Sequence, residues 1–477
     1  MKERSSQSSR DSARPLHRLI RELRERDIHL WVEDHQLRFR APKGAFSSEL
    51  REQVRGQRGQ LIALLAGTAK AAIPRRPSSG QPGVATPLSF GQQGLWLAAV
   101  GHDTGATYNI PLPLRLRGAV DSNALERALS SLVAHHEALR TRCEERDGEP
   151  CLIVMAPTGF TVERDDLGGL PEAKREAALK QLVTRHAATP FEVRGDQLFR
   201  AGLVKLADDD WAVLMTLHHL VGDGWSAGIL ASDLATLYRY HSSGPRSRVI
   251  PEHILAPLPL QYTDFAAWQR QYYADIATEP RARAWAETLA SVPDLVDLPR
   301  DLTPPDNQGF AGAVLSFTIP SSLYSRLRTY CEKSDLSLFM VTLGVFAVWL
   351  SRICRQREFV VGTIVAGRHE PELERLLGLF VNVLPIPLEV SEERSVADFF
   401  AAVRERCLSA FEVQDVPFEA LVRHLAPTRT PARPPLVQAI FRTQSRRMLD
   451  DLDLPDITVE PLPIPRQHSS MEMSFSI

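Results

Sequence analysis

The stretch from Met215 to Gly228, MTLHHLVGDGWSAG, carries two adjacent histidines, His218 and His219, followed by Asp223 and Gly224 where an apolar run gives way to a helical pattern. A neutral imidazole titrates near neutral pH and can take up or release one proton, which suits a base acting on an amine or a hydroxyl. Successive side chains of a strand point to opposite faces, so at most one of the two rings looks into any one cavity. His219 shares its alternation with Val213, Met215 and Leu217, whereas His218 shares its own with Leu214, Thr216 and Leu220. Gly222 and Gly224 permit a tight turn beyond the histidines, and Gly224 opens a helix whose N-terminal amides favour negative charge nearby. Asp223 at this place either caps that helix or takes part in chemistry, and the spacing leaves both readings open.

The elements that must position these residues follow from periodicity. A strand is predicted over PLPLRLRG (111–118), a helix from Asn123 to Leu139 opened by Asp121 or Ser122, a strand over WAVLMTLHHL (211–220) and a helix from Ser226 to Tyr238. A proline-dense passage, VIPEHILAPLPLQY (249–262), marks a border between two lobes. Beyond it the spacing predicts a helix over SSLYSRLRTYCEKS (321–334), a long apolar helix over LSLFMVTLGVFAVWLSRIC (336–354) and a strand over FVVGTIVAG (359–367). The alternation of strands and helices is that of an α/β or α+β fold. The last residues, SSMEMSFSI, read as a strand in progress, so the chain is expected to continue in a longer polypeptide.

The front end differs in style. Leu16, Leu19, Ile20 and Leu23 recur at helical spacing, IHLWV and LRFRAP flank EDHQ as a β-hairpin, and Ser47 or Ser48 caps a further helical stretch with Leu50 and Val54, followed by LIALLAG with Gly67 as a stop. The order is α-β-β-α-α over residues 14–66, behind a polar tail at 1–13. Residues 67–85, rich in Pro, Gly, Ser and Ala, read as a flexible linker.

Over the whole chain 56 Lys and Arg stand against 58 Asp and Glu, a net charge of −2, which gives no reason to expect a nucleic-acid or anionic-membrane surface. Residues 1–60 hold 14 basic against 9 acidic side chains, leaving 42 against 49 for the rest, so a small basic front precedes an acidic body. Five scattered cysteines without a Cys-x-x-Cys pair argue against a disulfide framework or a zinc site and fit a reducing cytoplasm. No signal peptide is seen, and no stretch approaches the ~18 uninterrupted apolar residues of a membrane span, so a soluble cytoplasmic protein is expected. His135 and His136 sit toward a helix end, where the dipole favours them, and need no ligand role. No metal site and no bound cofactor are expected; GDG and GTIVAG are too short for dinucleotide fingerprints.

The heptapeptide HHLVGDG (218–224) resembles the core motif of condensation domains of nonribosomal peptide synthetases, within the chloramphenicol-acetyltransferase-like superfamily. Six further stretches are similar to that family's motifs and fall in the same order: LSFGQQGLWLA (88–98), HHEALRTRC (135–143), YTDFAAWQRQ (262–271), VGTIVAGR (361–368), GLFVNVLPIPL (378–388) and VQDVPFEALV (413–422). The resemblance implies two chloramphenicol-acetyltransferase-like lobes in a V-shaped pseudo-dimer, an N-lobe over 86–262 and a C-lobe over 263–477. A tunnel between them would admit two phosphopantetheine arms from opposite sides. An upstream carrier protein would bring the acyl or peptidyl thioester donor and a downstream carrier protein the aminoacyl thioester acceptor, with adenylation and carrier domains following in the full-length chain.

Carried over residue by residue, the resemblance implies His219 as the catalytic residue and an ion pair between Asp223 and Arg368. His218, Gly224, Arg140 and Trp268 match recurrent positions and are expected to support the site as anchors. Gly91 and Gly94 stand where many members have Ala and Arg, which leaves the donor class open.

Residues 14–66 are similar to tubulysin-type N-terminal docking domains. That likeness implies capture of a linear C-terminal segment of an upstream synthetase along the hairpin edge, with Arg38, Arg40 and Lys43 suited to an acidic partner. Two rival functions are weighed: a stand-alone coenzyme A-dependent acyltransferase, whose plant-type Asp-Phe-Gly-Trp-Gly motif DFAAW (264–268) is not, and a non-catalytic recruitment module, whose usual sign is a decayed histidine motif.

Overall fold

The computed structural model describes residues 19, 23, 28–33, 36–41, 46–58, 61, 73–77, 81–101, 104–243, 254–274, 280–301, 310–425, 434–444, 454, 456–464 and 468–477. They belong to two compact units, Met1–Ile73 and Pro74–Ile477.

In the first unit, strands β1 (His29–Glu33) and β2 (Gln36–Arg40) pair antiparallel, with Trp31 opposite Arg38 and His29 opposite Arg40. Helix α1 (Ser48–Gly56) starts where the Ser47 side chain accepts the Leu50 amide at 3.3 Å, as its N-cap position predicts. Leu19, Leu23, Ile28, Phe46, Leu50, Val54 and Leu61 form one buried cluster. Leu19 and Leu23 are helical; Leu16, Ile20, Gly67 and Lys43 lie outside the described residues.

Among the described residues the second unit holds three sheets. Its first half contains β3 (Ala85–Pro87), α2 (Phe90–Gly101), β4 (Asn109–Gly118), α3 (Ser122–His135), β5 (Thr141–Arg146), β6 (Glu149–Val154), β7 (Glu163–Asp166), α4 (Glu172–Ala188), β8 (Phe199–Ala207), β9 (Asp210–His218) and α5 (Gly224–Ser242). Its second half contains α6 (Tyr262–Tyr272), α7 (Pro280–Ala290), α8 (Ser321–Ser334), α9 (Leu338–Cys354), β10 (Glu358–Val365), β11 (Asn382–Glu389), α10 (Val396–Glu412), α11 (Phe418–Leu425), β12 (Ala439–Arg442), β13 (Ile457–Pro461) and β14 (Met473–Ser476). The sheet orders are β13-β4-β9-β8-β7, β3-β6-β5 and β11-β10-β12-β14, which is the mixed α/β architecture expected from the alternating pattern.

Two connections bind the halves together. Strand β13 comes from the C-terminal region yet pairs with β4, Val459 opposite Leu116, so one strand crosses the 262/263 division that the proline-dense passage indicates. Helix α2 comes from the N-terminal half, yet its Phe90 joins the buried cluster of the other half and lies beneath the guanidinium of Arg423 of α11. Local caps set the helix starts: Asp121 accepts the amides of Asn123 and Ala124, and Ser337 accepts that of Met340.

Strand β9 ends at His218 rather than continuing through Leu220. Residues His219–Val221 form a 3-10 turn, so strand alternation governs the ring of His218 but not that of His219. Likewise α3 stops at His135, and Glu137–Arg140 form a second 3-10 turn. Among the described residues no single helix is long and apolar enough to cross a membrane; α8 and α9 meet the test only as a pair bent by 108°.

Candidate active site

At the end of β9 the two histidines part. His218 is 2 % exposed, opposite Asn109 of β4, with its ring between those of Tyr108 and Phe191 at 6.2 and 6.1 Å. Its Nδ1 accepts the Leu220 amide at 3.2 Å, which fixes the turn. Burial, with His219 beside it, pulls its pKa down to about 3, so this ring is neutral and structural in its contacts.

His219 is held through its backbone, whose amide donates to the Tyr108 carbonyl at 2.8 Å. The residue is partly exposed, and of its ring nitrogens only Nδ1 is among the buried atoms without a hydrogen-bond partner. Nε2 is therefore the nitrogen left accessible. Burial lowers the pKa of His219, while Asp223 and the carbonyls of His219 and Gly222 act in the opposite sense. The result is a neutral base with one available edge.

The turn that presents it is tightly packed. A Cβ on Gly222 would lie 2.1 Å from Leu217 Cδ1, so a side chain there would have to push aside the end of Leu217. Asp223 follows as the N-cap of α5: its Oδ1 accepts the Ser226 amide at 2.9 Å and its Oδ2 the Phe380 amide at 3.0 Å. Arg368 Nη2 lies 3.2 Å from Asp223 Oδ1, with both side chains sealed from solvent. The capping reading of Asp223 is the one the geometry supports, and the same carboxylate also meets a guanidinium. Arg368 also donates through Nη1 to the carbonyls of Leu373 and Leu376 and stacks over the Phe380 ring at 4.1 Å. It is aimed by Gly367, at φ +66, where a Cβ would strike the Phe380 carbonyl. Burial draws the Arg368 pKa down against the pull of Asp223.

Residues 84–477 match the family model for the Condensation domain, and residues 16–66 that for the TubC N-terminal docking domain. The chain belongs to the condensation-domain family. The malpinin synthetase of Mortierella alpina is 34 % identical over 391 residues, covering 82 % of this chain and 5 % of that protein. The phosphinothricin tripeptide synthetase PhsC of Streptomyces viridochromogenes is 35 % identical over 382 residues, covering 80 % and 34 %. The condensation domain therefore spans only a small part of these relatives. Among solved structures, the X-domain from teicoplanin biosynthesis superposes with a TM-score of 0.74 at 23 % identity, covering 85 % of this chain and 87 % of that one. The structure concerning condensation domain-mediated chain release from the enacyloxin polyketide synthase gives 0.59 at 25 %, covering 94 % and 86 %.

Arg140 and Trp268 sit on elements other than the histidine turn. Arg140, in the 3-10 turn after α3, is 8 % exposed and donates to the Met155 carbonyl, an anchoring contact between that turn and β6's end. Trp268 on α6 stacks with Tyr272, ring centroids 5.1 Å apart, and lies 6.0 Å from Phe265. Gly224 is the first residue of α5. Arg38 and Arg40 occupy alternate positions of β2.

Sequence reasoning misses several contributors. Gln92 of α2 donates to the Leu220 carbonyl at 2.7 Å, clamping the histidine turn from the far side. Tyr262 donates to the Leu379 carbonyl at 2.8 Å and sits 2.8 Å from Ser89 Oγ, joining the first, fourth and sixth motif stretches. Ser226 Oγ takes the Gly378 amide at 3.3 Å. Glu419 of α11 lies where Gly94 leaves room, since a Cβ there would meet Glu419 Cγ at 3.0 Å; burial raises its pKa. All of these residues lie in or beside the family-like stretches, but their partners are distant in sequence.

Proposed function

We propose that this condensation domain forms an amide bond between an upstream carrier-bound acyl or peptidyl thioester and a downstream carrier-bound aminoacyl thioester. The acceptor amine attacks the donor carbonyl, the tetrahedral intermediate expels the donor's phosphopantetheine thiolate, and the amine proton is transferred by way of His219 Nε2 to that thiolate. The observation that carries this reading is the accessible Nε2 of a neutral imidazole on a turn that Asp223, Arg368 and Gln92 hold rigid. A base of this kind contributes typically about 10²–10⁴-fold, and confining two tethered thioesters replaces a bimolecular encounter. Asp223 and Arg368 act as positioning residues, with His218, Arg140 and Trp268 as packing support.

The front unit serves as the docking domain for a C-terminal linear segment of the upstream synthetase, which adds as a strand beside the β1–β2 hairpin. Arg38, Arg40 and Lys43 match an acidic segment in charge. Adenylation and carrier domains follow in the whole synthetase.

Mixing the protein with donor-loaded and acceptor-loaded carrier proteins and weighing the products by mass spectrometry tests the reading. Extended product on the downstream carrier is expected. Product from coenzyme A donors alone would assign a stand-alone acyltransferase instead, and carrier binding without product a recruitment module.

A further inference from the structure

The C-terminal end of α3 meets the middle of α5 at His135, His136 and Asp233. His136 and Asp233 are 97 residues apart, which is why sequence spacing gives the two histidines no ligand role. In the fold one ligand-type atom from each of the three lies within 4.8 Å of the other two. His136 is 1 % exposed and Asp233 8 %, with His136 Nε2 2.9 Å from Asp233 Oδ2. The two imidazoles meet edge to face, centroids 4.8 Å apart.

Two ring nitrogens, His135 Nε2 and His136 Nδ1, are buried without a hydrogen-bond partner. A buried polar atom left unpaired carries its full desolvation penalty, which a ligand would remove. Here His135 Nε2 is such an atom on the residue next to the His136–Asp233 pair, and an occupant with vacant orbitals would satisfy it. The end of α3 adds the negative pole of a helix, which favours a cation.

We propose that His135, His136 and Asp233 form a binding site for a divalent transition-metal cation of the Zn²⁺ type. Two imidazoles and a carboxylate suit Zn²⁺, Co²⁺ or Ni²⁺ rather than Mg²⁺ or Ca²⁺, and water completes the shell. The ion ties α3 to the middle of α5, the helix that Asp223 caps. Its role is to hold the scaffold, and the transfer chemistry at His219 does not pass through it.

The test uses the full chain, purified without a histidine tag and stripped with EDTA, then titrated with ZnCl₂ and separately with CoCl₂. Elemental analysis after gel filtration is expected to find one Zn²⁺ per chain, the Co²⁺ form to absorb in the visible, and Tm to rise with either metal. His135→Ala and Asp233→Asn are expected to weaken Zn²⁺ binding roughly tenfold or more, with His468→Ala unchanged. His135 is only partly buried, so His135→Ala decides the matter if Asp233→Asn does not fold. Absence of retained Zn²⁺ in the wild type, or equal retention by a folded His135→Ala variant, overturns the assignment. Amide-bond formation by the stripped protein is scored separately and tests only the proposed function.

Discussion

Arg368 and Asp223 meet across 145 residues of sequence, Nη2 3.2 Å from Oδ1, with 1 % and 0 % of their side chains exposed. Removing one partner of such a pair leaves an uncompensated buried charge, at a cost of about 3–5 kcal/mol. Arg368→Ala is therefore expected to lower unfolding stability by that amount in urea titration. Asp223→Asn, which keeps a capping oxygen, should cost less than Asp223→Ala, which also loses the cap. A loss under about 1 kcal/mol for Arg368→Ala would contradict the assignment of this pair as a structural hub.

Tyr262 joins three distant motifs through a single hydroxyl. Tyr262→Phe leaves the Leu379 carbonyl and Ser89 with an unmet partner in a buried place, at about 1–3 kcal/mol. Chemical denaturation should show this loss. Adding Ser89→Ala to the Tyr262→Phe variant should cost about 1 kcal/mol more, because Ser89 Oγ also accepts the Gln92 amide at 3.2 Å at the start of α2.

His218 carries a pH signature. Its folded pKa, about 3, lies below the unfolded value of 6.5, so folding favours the neutral ring. The contribution is complete above pH ~6.5 and is lost as pH falls from there toward about 3, because the unfolded chain takes up the proton first. His186, pulled to about 4 by burial and two nearby arginines, acts in the same sense. Denaturation between about pH 7.5 and 4.5 should show stability declining with acid, and His218→Asn should flatten that slope while lowering stability at the upper end. An unchanged slope would remove His218 from the account.

Deleting residues 1–66 is expected to raise the KM for a donor carrier presented on its native upstream synthetase, yet to leave the rate at saturating loaded donor unchanged. Equal transfer kinetics for the deleted and complete chains would defeat the docking role. Substituting Arg38 and Arg40 by Glu should reproduce part of the effect if the partner segment is acidic.

Much of this architecture is legible in the sequence because it is local. The helix at 321–334 follows from periodicity and matches α8 residue for residue, and Ser47 and Asp121 cap where their side chains can reach the first amides. What escapes depends on contacts between distant segments or on the exact path of a turn. Periodicity places the end of β9 two residues late, because it cannot register that Leu220 donates back to His218 Nδ1 and curls the chain into a 3-10 turn. The pairing of β13 with β4, the Gln92 clamp on Leu220 and the Asp233 carboxylate beside His136 are tertiary outcomes that leave no trace in spacing. Within the site, the motif points to His219, Asp223 and Arg368, but only the fold distinguishes a sealed Nδ1 from an accessible Nε2.

The role of His219 is tested most directly by His219→Ala with both carriers loaded. The variant is expected to keep the wild-type Tm within a few degrees, because Nδ1 of the ring has no hydrogen-bond partner, and to lose condensation by about 10²-fold or more. His218→Ala should show the reverse balance, with a lowered Tm and activity that follows the folded fraction. Wild-type turnover by a folded His219→Ala protein would contradict the assignment of the accessible imidazole to the chemistry.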